Sequence, residues 1–75
     1  MKLRIPDKDE VLVSDKDVTF VQMLANDTTR AEAIQILSLK PDAYDMMGYR
    51  IRQKYGQLKT NAGLVALFYK NKLIE

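Results

Sequence analysis

The chain contains no cysteine and no histidine. Without cysteine there is no disulfide, no thiolate nucleophile and no Cys-type zinc site, devices on which domains of this size often rely. Without histidine, the commonest general base near neutral pH and the commonest metal ligand are missing together. Long apolar runs are also missing: the longest, Gly63 to Tyr69, is too short to span a bilayer. The basic start Met1-Lys2-Leu3-Arg4-Ile5-Pro6-Asp7 is followed by no apolar segment of the kind a signal peptide needs. There is no internal repeat, low-complexity tract or Ser/Gly linker. Together these absences give the expectation of a cytoplasmic protein, not an enzyme, with no cofactor, no metal and no membrane partner. The loose carboxylates Asp7, Asp9 and Glu10 fall in an N-terminal arm and not in a cleft.

What remains is enough for one domain: 75 residues, whose core stabilises by only a few kcal/mol (on the order given by), so that tight helix packing or a partner subunit would help. The net charge of +2 is unevenly spread. Residues 1–45 hold six Lys/Arg against nine Asp/Glu, while residues 46–75 hold six against one. A basic half is the footprint of a polyanion partner, and it is equally the footprint of ordinary surface scatter.

The pattern along the chain is helical. Residues 1–13 read as an arm, with a turn at Ile5-Pro6-Asp7 because proline fixes φ and restricts its predecessor. Val11-Leu12-Val13 is β-prone, but a lone strand in a helical domain has no partner, so it is expected to pack over the first helix. Residues 14–75 then form the domain. Ser14 caps a first helix near 15–26, with Asp17 at the third helical position as a weaker form of the capping box. Val18, Val21, Leu24 and Ala25 recur at helical spacing, widened by Phe20. Thr29 and Glu32 make a fuller capping box for a second helix near 30–38 that buries Ala33, Ile34 and Leu37. Pro41 suits the first position of a third helix near 41–55, with Asp42 and Asp45 in its first turns. Its apolar stripe is Tyr44, Met47, Ile51 and Tyr55; Gly48 on that stripe implies close approach of a neighbour, and Gly56 suits a left-handed stop. Thr60 caps a fourth helix near 61–70, in which Leu64, Val65, Leu67 and Phe68 face partly inward and which Asn71 ends; Leu73 and Ile74 fold back. The fold class is therefore all-α, with four helices. The Leu39-Lys40 link permits only a sharp turn, as in a helix-turn-helix, although a generic four-helix bundle satisfies the same periodicity.

Read as a string, the chain resembles the LuxR/GerE type of C-terminal DNA-binding domain. The family's Glu-Val-Leu-x-Leu-Leu-Ala-x-Gly-x-Ser-x-x-Glu-Ile-Ala falls without a gap on Thr19-Phe20-Val21-Gln22-Met23-Leu24-Ala25-Asn26-Asp27-Thr28-Thr29-Arg30-Ala31-Glu32-Ala33-Ile34. Leu-x-Ile-Ser-x-x-Thr-Val falls on Leu37 to Tyr44, and Ile-x-x-Lys-Leu-Gly on Ile51-Arg52-Gln53-Lys54-Tyr55-Gly56. After one apparent insertion near Gln57-Leu58-Lys59, Ala62-Gly63-Leu64-Val65-Ala66 is similar to Ala-Glu-Leu-Val-Ala, and Lys72-Leu73-Ile74 to Gly-Leu-Ile. The departures are the order Ala33-Ile34, and Asp42, Ala43 and Met47 where the family often has Arg or Lys, Thr and His.

The resemblance implies a small stand-alone transcriptional regulator that binds double-stranded DNA through its third helix. At about 100° per residue, Asp42, Met46, Tyr49 and Gln53 point opposite the buried stripe, with Arg50 and Lys54 on one flank. Candidate base contacts are Asp42, Met46, Tyr49, Arg50 and Gln53; arginine suits guanine and glutamine suits adenine. Candidate phosphate contacts are Lys40, Lys54, Lys59 and the Thr60 hydroxyl at a helix N-terminus. Asp42 and Asp45 can repel phosphates or serve as helix-end charges, and Tyr49 with Met46 is as typical of a protein contact as of a groove. The alternative is thus a protein-interaction module of the same shape that has lost DNA binding. In the family the fourth helix pairs across a two-fold axis, which marks Ala62, Gly63, Ala66 and Tyr69 as the candidate face of a weak homodimer.

Overall fold

The computed structural model describes residues 2–5 and 8–75, with the backbone alone at 8 and 9. Two strands, β1 (Lys2–Ile5) and β2 (Lys8–Leu12), precede four helices: α1 (Asp15–Ala25), α2 (Arg30–Leu37), α3 (Pro41–Lys54) and α4 (Asn61–Lys70). The domain is mostly helical, and all four helices lie within one or two residues of where the sequence places them.

The N-terminal segment corrects the all-α expectation. Val11 and Leu12 do belong to a strand, because the partner they need is supplied by the first residues of the chain. β1 and β2 pair antiparallel, with Lys2 opposite Leu12, Leu3 opposite Val11 and Arg4 opposite Glu10; the register then shifts between Arg4 and Ile5. Strand alternation sends Leu3, Ile5 and Val11 inward, while Lys2, Arg4, Glu10 and Leu12 face out. Lys2 reaches Glu10 across the outer face at 3.7 Å. The expected turn at Pro6-Asp7 lies outside the described residues. Val13 continues the inward set, so among the described residues this segment contributes four side chains to the core: Leu3, Ile5, Val11 and Val13.

Helix starts follow the caps. The Ser14 hydroxyl accepts from the Asp17 N–H at 3.2 Å. Thr29 and Glu32 complete both halves of their box, with bonds of 3.2 and 3.0 Å. The Thr60 hydroxyl accepts from the Gly63 N–H at 3.1 Å. Helix stops are also alike. After α1, α2 and α4, a left-handed residue that is not glycine — Asp27, Ser38 or Lys72, with φ of 61, 53 and 58° — closes paired backbone bonds onto the last turn. After α3, Gly56 takes a φ of 111° as expected, followed by Gln57 at 57°.

The core gathers Phe20 and Val21 of α1, Ala33 of α2, Tyr44 and Ile51 of α3, Tyr55, and Leu64 and Phe68 of α4 around the inward face of the hairpin, with Ile74 closing the end. Tyr55 meets Phe68 edge-on, ring centres 4.9 Å apart, and Phe20 lies 5.6 Å from Tyr44. A Cβ on Gly48 would stand 3.3 Å from Cζ of Phe20, which is the close approach its place on the stripe implied. Ile34 and Leu37, expected to be buried, are only half-buried, and Ala25 is exposed.

Candidate functional site

The α2–α3 unit is joined by three residues, Ser38, Leu39 and Lys40. Ser38 takes the left-handed conformation and donates to the Gln35 carbonyl at 3.2 Å; Leu39 donates to Ile34 at 3.1 Å. Half-buried Leu39 packs against the core, and Pro41 begins α3 with no N–H to lose. This chemistry ends α2 and starts α3 within three residues, and α3 then runs with one face in and one face out.

The inner face carries Tyr44, Gly48 and Ile51, all buried. The outer face is uncovered: Asp42, Ala43 and Arg50 are exposed, Met46 is 47% and Tyr49 52% exposed, and Gln53 is half-buried. Four of the five candidate base-reading side chains are thus exposed on one helix face. Lys40, the residue before α3, and Lys59, in the loop before α4, are both exposed. The Thr60 hydroxyl is used as an acceptor in its cap, which leaves its own proton to donate. Lys54 is drawn differently. Its Nζ lies 2.6 Å from Oδ2 of Asp17, and its side chain keeps about a third of its exposure.

That contact belongs to a cluster that sequence reasoning missed. Asp17 was assigned to the cap, but its carboxylate turns inward, where the residue is 7% exposed. Its Oδ2 accepts from Lys54 Nζ and from the Tyr55 hydroxyl, both at 2.6 Å. Burial pushes the Asp17 pKa up, but the bonds from Lys54, Tyr55 and Ser14 outweigh it and hold the carboxyl below its ordinary range. Burial and the same carboxylate push the Tyr55 phenol far above its ordinary value. The available signal was the spacing of Asp17 to the two adjacent polar residues, Lys54-Tyr55, at the end of α3, but only tertiary structure brings them together.

A second missed pair bridges α2 and α3. Arg30 donates from Nε to Oδ1 of Asp45 at 3.0 Å and from Nη2 to Oδ2 at 2.9 Å. The guanidinium lowers the Asp45 pKa, and Asp45 in turn raises that of Arg30. Asp45 is therefore a neutralised partner and not a free anion at the start of α3. Asp42 forms no ion pair among the described residues. In the last turn of α3, Arg52 donates to Asn61 Oδ1 at 2.6 Å and links the helix to the start of α4. On α4, Ala62 and Ala66 are exposed, Tyr69 is 67% exposed and Gly63 is half-buried.

Among the described residues no group of three or more acidic side chains could hold a metal ion, and no helix is long and apolar enough to cross a membrane. Comparison with known protein families, characterised proteins and solved structures gives no match to this chain. The reading of its site therefore rests on the residues and their geometry.

Proposed function

We propose that this domain is a DNA-binding transcriptional regulator of the LuxR/GerE helix-turn-helix type, with the outer face of α3 as its reading surface. The observation that carries this is a 14-residue helix, entered by a three-residue turn, whose outer face is left open while its inner face is fully engaged. A helix presented in this way matches the shape that major-groove reading needs. Arg50 supplies a bidentate donor for guanine and Gln53 a donor–acceptor pair for adenine. Lys40, Lys59 and the Thr60 hydroxyl at the α4 N-terminus are exposed and suit phosphates. Of the two acids that oppose this reading, Asp45 is occupied by Arg30, while Asp42 stays exposed at the start of α3. Lys54 is paired with Asp17, as Asp45 is with Arg30, so of the phosphate candidates it adds least to the positive charge of this face.

The test is selection of duplexes from a random pool, followed by variant binding. Arg50→Ala should weaken the selected duplex by about 1–3 kcal/mol and relax its sequence preference, whereas Lys59→Ala should weaken all duplexes alike. Failure to enrich any sequence would turn the reading toward a protein-interaction module. The exposed apolar pair Met46 and Tyr49, together with Ile36 at 65% exposure, is what favours that second reading. The α4 face at Ala62, Gly63, Ala66 and Tyr69 fits at most a weak homodimer, because so narrow a face buries little area. Sedimentation at high concentration checks this: a strict monomer, or a dimer indifferent to Tyr69→Glu, removes α4 from the account.

A further inference from the structure

The helix α2 is poorly anchored for an element that must hold α3 at a fixed angle. It has eight residues, of which only Ala33 is fully buried. Helices so short do not stand on intrinsic propensity. Ile34 and Leu37 are half-buried, and Ile36 is exposed. Its C-terminal end is tied to α3 by the Ser38–Lys40 turn. At its N-terminal end the described polar tie to α3 is the two-pronged bond from Arg30, the first residue of α2, to Asp45, one turn into α3.

We propose that the Arg30–Asp45 fork is a positioning clamp for the α3 reading face; this rests on the DNA-binding reading above. The core holds the inner face of α3, but α2 has one fully buried residue, so the turn leaves its N-terminal end the more weakly fixed of the two. A turn at one end and a planar fork at the other are two fixed points, which set the angle between the two helices. The fork suits the task because a guanidinium meeting a carboxylate through two parallel bonds restricts direction as well as distance. A lysine at position 30 would keep the charge and lose the second prong. Neither residue touches bases in this account; both act through the orientation of Arg50, Tyr49 and Gln53.

The clamp and a simple charge effect make opposite forecasts. If only charge mattered, Asp45→Asn would strengthen binding, Arg30→Gln would weaken it, the two would cancel in the double variant, and Arg30→Lys would be silent. The experiment measures affinity for a duplex selected by the wild-type protein and for a random duplex at the same salt, with folding checked by circular dichroism. The ratio of the two affinities reports orientation, because net charge moves both together. The clamp predicts that Arg30→Gln, Asp45→Asn and Arg30→Lys each lower this ratio by roughly 3- to 10-fold, and that the double variant Arg30→Gln/Asp45→Asn is no worse than the worse single one. An unchanged ratio for Arg30→Lys, or strictly additive effects, overturns the clamp while leaving DNA binding intact. If the wild-type protein binds no duplex at all, the regulator reading itself fails, and the clamp fails with it.

Discussion

Two carboxylates on two helix junctions show how differently one chain can use the same chemistry. At the α1–α3 junction Asp17 is buried and shared by Lys54 and Tyr55, while at the α2–α3 junction Asp45 lies in the open under the fork of Arg30. Side-chain exposure is 10% for Asp17 and 56% for Asp45. In water, an ion pair gains little, because screening and side-chain entropy offset attraction. Away from water, a carboxylate left without partners is costly, so its partners become indispensable. The difference teaches that the buried junction holds the fold together, whereas the exposed one adjusts geometry at little stability cost. The side of α3 that faces the core is thereby rigid, and the side that faces outward is free to be specialised.

The comparison can be broken first where the hairpin backs the buried junction. Ile5 is 5% exposed, and its Cγ2 lies 3.4 Å from where a Cβ on Gly56 would stand, beside Tyr55. Ile5→Ala should cost about 2–5 kcal/mol in urea denaturation, the usual range for a large core truncation. A negligible change would return these residues to the role of a loose arm. Asp17→Ala should follow at about 2–3 kcal/mol, since it strips a buried phenol and an ammonium of their shared acceptor. The matching change at the exposed junction, Asp45→Asn, should shift the denaturation midpoint by only a small part of that. Equal shifts would erase the distinction.

Smaller effects sharpen it. Tyr55→Phe removes one bond to Asp17 and should cost about 1–1.5 kcal/mol. The pH dependence has two arms. The Asp17 pKa is depressed in the folded protein, so its contribution is present above the unfolded value, about 4, and is lost as pH falls through the folded value. The Tyr55 pKa is raised, so its contribution is present below the unfolded value of about 10 and declines as pH rises past it. Thermal melts of Asp17→Asn across pH should show a flatter acid arm than wild type, and those of Tyr55→Phe a flatter alkaline arm. The smallest effect is at the exposed junction: Ser38 holds a φ of 53°, so Ser38→Gly should stabilise by about 0.5–1 kcal/mol.

Much of this architecture could be read from sequence because local chemistry dictates it. Caps at Ser14, Thr29 and Thr60 and the proline at 41 start the helices where they are observed. The stripe Tyr44–Met47–Ile51–Tyr55, with Gly48 against Phe20, fixes which side of α3 is buried, and so which side is available for Arg50 and Tyr49. The hairpin was not legible, because each strand is too short to declare itself and its stability comes from pairing with another stretch of chain. Asp17 was misread for a related reason: its position at the third helical residue suggests a cap, and only the arrival of Lys54 and Tyr55, 37 and 38 positions later, draws it inward. The Arg30–Asp45 fork escaped notice because Asp45 had a local explanation as a helix-start charge and Arg30, inside the capping box, had been given no role.

The central claim is that the open face of α3 meets duplex DNA. Its most direct test is a fluorescence-anisotropy titration of the wild-type protein with a labelled random duplex at 50 and 200 mM salt. Two phosphates neutralised by Lys40 and Lys59, at about 0.9 of a counterion each, predict that affinity falls by roughly 10-fold between the two conditions. Binding that is absent at 50 mM, or that does not change with salt, would contradict the account.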